Sequence, residues 1–121
     1  MTATKKILIS DDEEGIRESL KLILGDQYNL ILTTDGQQCL ECLENADDIG
    51  LVLLDIKMPQ INGLDVLKII KEKKPEINVV VITGYKSVET ASEAVNLGAS
   101  GYIVKPFKSD EILETITKHL K

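Results

Sequence analysis

Leu51-Val52-Leu53-Leu54-Asp55 sets four apolar residues in a row and closes on a carboxylate. A run with no polar alternation fits a strand covered on both faces, the environment of a parallel sheet. Runs of the same kind flank it. Ile7-Leu8-Ile9 and Leu30-Ile31-Leu32 precede it, and Val79-Val80-Val81-Ile82 and Tyr102-Ile103-Val104 follow. Behind each run lies a segment long enough for a crossover helix, which a parallel connection requires.

Those segments carry the helical period. Ile16, Leu20 and Ile23 share a face, with Gly25 placed to stop the helix. The second segment opens on Asp35 with Gln38 three residues on, an approximate capping box. Leu64, Leu67 and Ile70 align in the third, and Pro75 lies beyond its last turn. In the fourth, Val88, Ala91, Ala94 and Val95 are expected on one face, with Gly98 after them. The fifth begins at Ser109, with Asp110 and Glu111 at its positive end and Lys118, His119 and Lys121 at its negative end. Its apolar face is Ile112, Leu113, Ile116 and Leu120. Strand and helix thus alternate five times, which predicts a doubly wound α/β fold, (βα)5, in one domain spanning residues 1–121.

Composition narrows the function. With 14 Lys and Arg against 20 Asp and Glu over 121 residues, the net charge is −6. That balance argues against gripping nucleic acid or an anionic membrane by bulk charge. No apolar run reaches the ~18 residues of a membrane span. The N-terminal residues lack a signal-length apolar core, so a cytoplasmic location is expected. Two cysteines do not make a disulfide framework.

In open α/β sheets, ligands bind beyond the carboxyl ends of the strands. The first run ends in Ser10-Asp11-Asp12-Glu13, the third in Asp55, the fourth in Thr83-Gly84 and the fifth in Lys105-Pro106. Asp35, after the second run, is better explained as a helix cap. Each of these residues alone has a plain reading as a turn, a cap or a surface charge. Together at one mouth, Asp11, Asp12 and Asp55 would repel one another unless a cation intervened. Oxygen donors with room for water suit Mg²⁺, and Mn²⁺ would also be accepted. Lys105 adds a cationic head and Thr83 a hydroxyl, so the set could stabilise a phosphoryl group carried on a carboxylate.

This constellation resembles the receiver domain of two-component response regulators, over essentially the whole chain. The matching segments are Ile7 to Glu13, then Leu53-Leu54-Asp55-Ile56-Lys57-Met58-Pro59 with Asn62-Gly63, then Val81-Ile82-Thr83-Gly84, Leu97-Gly98-Ala99 and Tyr102-Ile103-Val104-Lys105-Pro106-Phe107. The stretch from Val88 to Phe107 is similar to receivers attached to enhancer-binding transcription activators. The resemblance implies a flavodoxin-like sheet of order 2-1-3-4-5. It implies that Asp55 accepts a phosphoryl group from a phosphohistidine of a sensor histidine kinase or a phosphotransfer protein. Asp12, Asp55 and the backbone carbonyl of Lys57 would hold Mg²⁺, with Asp11 acting mainly through water. Thr83 and Lys105 would bind the phosphoryl group, the Gly84 amide would face it, and the Lys105–Pro106 peptide would be cis. Thr83 and Tyr102 would form the switch, repacking the face of helix four, strand five and helix five toward an effector domain, a target protein or a second copy. The domain itself would bind no nucleic acid and no membrane, would assist only its own phosphorylation and dephosphorylation, and no effector domain is expected within these residues.

Other residues stand apart from the pattern. Lys57 and Tyr85 occupy positions that the family varies, and slow self-dephosphorylation is expected from them. Ser10 replaces an apolar residue without an evident role. Cys39 and Cys42 form C-x-x-C, the spacing of thioredoxin-like redox sites, but read better as small apolar side chains of helix two. His119 reads as a solvated residue that suits the helix C-terminus. The competing class is a phosphatase of the haloacid-dehalogenase type, which also uses a strand-end Asp with Mg²⁺. It is disfavoured because Lys57 stands where that chemistry needs a second acid.

Overall fold

The computed structural model describes residues 5–58 and 61–120. Pro59 of the motif after Asp55, and Lys121 at the end of the fifth helix, lie outside the described residues. The order is β1 (Lys6–Ser10), α1 (Glu14–Leu24), β2 (Leu30–Thr33), α2 (Gly36–Asn45), β3 (Ile49–Leu54), α3 (Gly63–Lys73), β4 (Asn78–Thr83), α4 (Val88–Asn96), β5 (Gly101–Val104) and α5 (Ser109–His119). The strands form one parallel sheet in the order β2-β1-β3-β4-β5. This is the doubly wound, flavodoxin-like arrangement expected from the sequence.

Strand alternation explains why the runs are apolar throughout. Leu8, Val52, Leu54, Val79 and Val81 face one layer, with Cys39, Leu43, Val66, Leu67, Ile70 and Ala94 from α2, α3 and α4. Ile7, Ile9, Leu51, Leu53, Val80, Ile82 and Ile103 face the other, with Leu20 and Leu24 of α1 and Ile112 and Ile116 of α5. Successive side chains leave opposite faces of a strand, so a sheet clothed on both sides needs apolar residues at every position. β3, central in the sheet, is buried over its whole length. β2 departs from the two-face expectation: Leu30 and Ile31 are half-buried and Leu32 is exposed. The strand lies at the sheet edge, where helix cover is incomplete.

The helix caps bear out the local reading in part. Asp35 accepts a hydrogen bond from the Gln38 amide at 2.9 Å, and the Gln38 side chain accepts from the Thr34 amide at 2.9 Å. Ser87 caps α4 through the Glu89 and Thr90 amides. The expected face of α4 needs correction. Ala94 is buried, but Val88 is 80% exposed and Val95 57%. Val88, Ala91 and Val95 instead line a groove of about 410 Å³ with Tyr102 and Val104 of β5. Ala94 is the one buried residue of α4 and Ala91 is half-buried, so Val88 and Val95 face solvent across that groove.

Candidate functional site

The register of the sheet brings the strand ends to one edge. The Asp55 amide donates to the Ser10 carbonyl at 3.0 Å, the Asp11 amide to Thr33 at 3.1 Å, and the Lys105 amide to Thr83 at 2.8 Å. These bonds extend the ladder one residue beyond the strands, so each functional side chain leaves a fixed backbone. Ser10, Asp11, Asp55 and Thr83 are all buried. A buried polar group must find partners, and here each does.

Lys105 is the hub. Its Nζ lies 2.9 Å from Asp11 Oδ2, 3.0 Å from Glu13 Oε1 and 3.1 Å from Asp55 Oδ2. The other oxygens meet backbone amides: Asp11 Oδ1 accepts from Glu13 and Asp55 Oδ1 from Lys57, each at 2.9 Å. Arg17 donates from Nη1 to the Asp11 carbonyl at 2.9 Å. Thr83 Oγ1 accepts from the Tyr85 amide at 3.4 Å. The Lys105–Pro106 peptide is cis. A Cβ on Gly84 would stand in open space, so packing does not demand glycine there, and the mouth is open at this point.

The electrostatics are unbalanced toward the negative. Burial pushes the Asp11 carboxyl above its ordinary value, and the charge on Asp55 adds to this. The hydrogen bonds from Lys105 and the Glu13 amide pull the other way without cancelling it. For Lys105, burial disfavours the ammonium. The hydrogen bonds to Asp11 and Glu13, and the charges on Asp11 and Asp55, outweigh that and hold it well above the usual lysine range. Oxygens of Asp11, Asp12, Glu13 and Asp55 lie within 4.8 Å of one another. Four carboxylates against one ammonium leave an excess that a hard divalent cation would neutralise, and an all-oxygen donor set suits Mg²⁺ or Mn²⁺. The residues present therefore fit the ion.

The structure brings Asp11, Asp12, Asp55 and Lys105 into one cluster, with Thr83 and Gly84 at the end of the adjacent strand β4. The Lys57 amide holds Asp55, and its Nζ lies 5.7 Å above the Tyr85 ring, within cation–π range. Tyr102 donates from its hydroxyl to the Tyr85 carbonyl at 2.9 Å. Burial, then the charge on Asp55 and Tyr85, raise its phenol above the ordinary value.

Two participants escaped the sequence reading. Glu13 beside the acid pair and Arg17 four residues on carry no motif of their own. Their i, i+4 spacing at the start of α1 was the available signal. Ser10 now has an account: its Oγ donates to the Asp35 carbonyl at 3.1 Å and contacts Met58 Sδ at 3.5 Å. It ties β1 to the start of α2 and to the loop after Asp55, which an apolar side chain could not do.

Cys39 is fully buried in the core and Cys42 is half-buried; both are free. Burial, with the Cys42 thiol adding to it, pushes the Cys39 thiol up to about 12. A redox-active cysteine needs the opposite shift. Titration with an aromatic disulfide reagent at pH 8 is expected to modify Cys42 in the native protein and Cys39 only after unfolding. The raised Cys39 value contributes stability that is complete below pH 9.0 and is lost as pH rises through about 12. His119 is half-buried in the last turn of α5, where its carbonyl accepts from Asn78 at 2.7 Å.

Comparison with known proteins places this geometry. The model of the response regulator receiver domain matches residues 7–117. Among curated proteins, the transcriptional regulatory protein ZraR of Escherichia coli K12 is 39% identical over 115 residues, 94% of this chain and 26% of ZraR. Sporulation initiation phosphotransferase F of Bacillus subtilis is 36% identical over 117 residues, 96% of this chain and 94% of that protein. The chain thus spans about a quarter of ZraR and nearly all of the Bacillus protein. Among solved structures, a CheY-like receiver domain from Methanospirillum hungatei superposes with a TM-score of 0.90 at 33% identity, covering 96% of this chain and 93% of that one. The receiver domain of NtrX from Brucella abortus gives 0.88 at 35%, covering 95% and 98%. No described helix is long and apolar enough to cross a membrane. With the strand order, the acidic mouth and these relatives in agreement, the chain belongs to the response regulator receiver domain family of two-component systems.

Proposed function

We propose that Asp55 accepts a phosphoryl group from a phosphohistidine of a sensor histidine kinase or phosphotransfer protein, and that this controls an attached effector domain or a separate target. The observation that carries the reading is the position of Asp55: buried, held at one oxygen by the Lys57 amide and at the other by Lys105. Both partners orient the carboxylate for in-line attack on phosphorus. Phosphoryl transfer depends more on such placement and on charge stabilisation than on acid–base work. Lys105 is positioned to pair with the transferred oxygens, and the Thr83 hydroxyl and Gly84 amide stand on the neighbouring strand end to hydrogen-bond them. Asp12, Asp55 and the Lys57 carbonyl would hold Mg²⁺, with Asp11 acting through water; when bound, the ion neutralises charge between carboxylate and phosphoryl oxygens.

Readout would run through Thr83 and Tyr102. The Tyr102 hydroxyl ties β5 to the β4–α4 loop through the Tyr85 carbonyl. A shift of Thr83 toward the phosphoryl group would move that loop and reshape the groove between α4 and β5. Its exposed Val88 and Val95 would then meet the output module or a second copy. Lys57, 5.7 Å over the Tyr85 ring, would shield a phosphoryl group on Asp55 from attacking water, so the acyl phosphate should hydrolyse slowly. A dehalogenase-type phosphatase is not favoured, because the residue two beyond Asp55 is Lys57 rather than an acid.

Intact mass after incubation with acetyl phosphate tests the reading. One labile phosphoryl group should be gained with Mg²⁺, none with a chelator, and none in Asp55→Asn. Its half-life in Mg²⁺ buffer should run to minutes or longer; seconds would defeat the shielding argument. If neither acetyl phosphate nor a phosphorylated kinase adds mass, the phosphoacceptor role is wrong.

A further inference from the structure

Glu13 stands at the N-cap of α1, yet its side chain caps nothing. At that position short polar side chains are favoured because they reach back to the free amides of the first turn. The Glu13 carboxylate turns instead to Lys105 Nζ at 3.0 Å, across 92 residues of chain. Lys105 therefore has three carboxylate partners for its three N–H groups: Asp11, Glu13 and Asp55. An incoming phosphoryl oxygen must compete with these carboxylates for the ammonium.

The three partners are not equal. The Asp11 and Asp55 side chains are 3% and 2% exposed, and Glu13 is 61% exposed. Withdrawing the ammonium from a buried carboxylate leaves an unpaired charge away from water, which is strongly unfavourable. Withdrawing it from Glu13 costs little, because water replaces the lost partner. We propose that Glu13 is a positioning residue: the releasable arm of the Lys105 cage, which holds the ammonium in place between turnovers and yields it to the phosphoryl group. The inference rests on Asp55 being the phosphoacceptor.

The step it governs is simple in its bonds. An Asp55 carboxylate oxygen forms the new bond to phosphorus while the O–P bond of acetyl phosphate breaks, and acetate leaves with that electron pair. As this happens Lys105 exchanges Glu13 for a phosphoryl oxygen. Glutamine at position 13 keeps the shape and weakens the hold, so release becomes easier.

Phosphorylation rates of the full chain by acetyl phosphate and by phosphoramidate, followed by intact mass in Mg²⁺, supply the test. Glu13→Gln should react about three- to fivefold faster with both donors, the size of one solvent-exposed ion-pair arm. Glu14→Gln removes an equal charge from the exposed neighbour, which has no contact with Lys105, and should match the wild type. The dephosphorylation half-life of Glu13→Gln should stay within about twofold of wild type, since Glu13 has already released Lys105 in that state. The inference is overturned if Glu13→Gln is no faster, if Glu14→Gln speeds the reaction equally, or if the gain scales with donor charge, which would mark plain repulsion. A wild-type chain that gains no mass from either small donor or from a phosphorylated kinase would overturn the phosphoacceptor reading, and this inference with it.

Discussion

Lys105→Met is expected to lower the unfolding free energy by about 3 kcal/mol at pH 7 in chelator, the usual result of removing one partner from a buried ion pair. Lys105 is 11% exposed and is the cation that offsets Asp11 and Asp55, each nearly inaccessible to water. Methionine keeps the length of the side chain, so the loss reports charge rather than a cavity. Its pH dependence has a definite sign. The Asp11 carboxyl already lies above its ordinary 3.8 in the folded protein, because burial opposes its charge. A raised folded value contributes stability that is complete below 3.8 and is lost as pH rises from there through the higher folded value. Without Lys105 the carboxyl rises further, so the deficit should shrink as pH falls toward 4 and be widest near neutrality. Urea unfolding of variant and wild type at pH 7 and pH 4.5 measures both. Equal stability at pH 7 would mean that Lys105 does not balance the cluster in solution.

Gly63→Ala should be at least as damaging, for a steric reason. Gly63 opens α3, and its amide donates to the Ile56 carbonyl at 3.1 Å. A Cβ there would lie 2.1 Å from Ile56 Cα and 2.8 Å from the Asp55 carbonyl oxygen. The atoms in the way are backbone, so no rotamer change relieves the overlap. Overpacking a rigid contact costs about 3 kcal/mol, and the strain falls on the residue next to the proposed phosphoacceptor. Phosphorylation should therefore slow along with the loss of stability. Gly15→Ala is the matched control. A Cβ at that position of α1 meets nothing within 4 Å, so the better helix former should be neutral or add up to ~1 kcal/mol. The denaturant midpoint should fall for Gly63→Ala and hold or rise for Gly15→Ala; a Gly63→Ala protein as stable as wild type would refute the close packing of α3 on the β3–α3 loop.

Much of this architecture was legible in local chemistry. Val79 to Ile82 and Leu51 to Leu54 are apolar at every position because helices cover both sides of the sheet, and that pattern is visible without coordinates. Asp35 caps the Gln38 amide, and the Gln38 side chain accepts from the Thr34 amide, all within five residues of chain. The acids after β1 and β3 were picked out for the same reason: a parallel sheet gathers its strand ends at one edge. Elsewhere local pattern misled. Val88 and Val95 fall on the stripe that helical spacing assigns to the core, yet they face an open groove, because α4 meets the sheet through Ala94 alone among its buried residues. Leu32 reads like any other strand residue and is exposed because β2 lies at the edge.

Residue order and spacing were thus enough to establish the alternating α/β plan, the acidic mouth and the family resemblance, since each depends on side chains close in sequence or on the polarity of strands. The partners of Lys105 and the work of Glu13, Arg17 and Ser10 depended on folding. Each contacts a residue across the mouth, or a backbone carbonyl brought there by the chain's path. Such contacts are set by how crossovers and loops converge in space, a geometry that has no period along the chain.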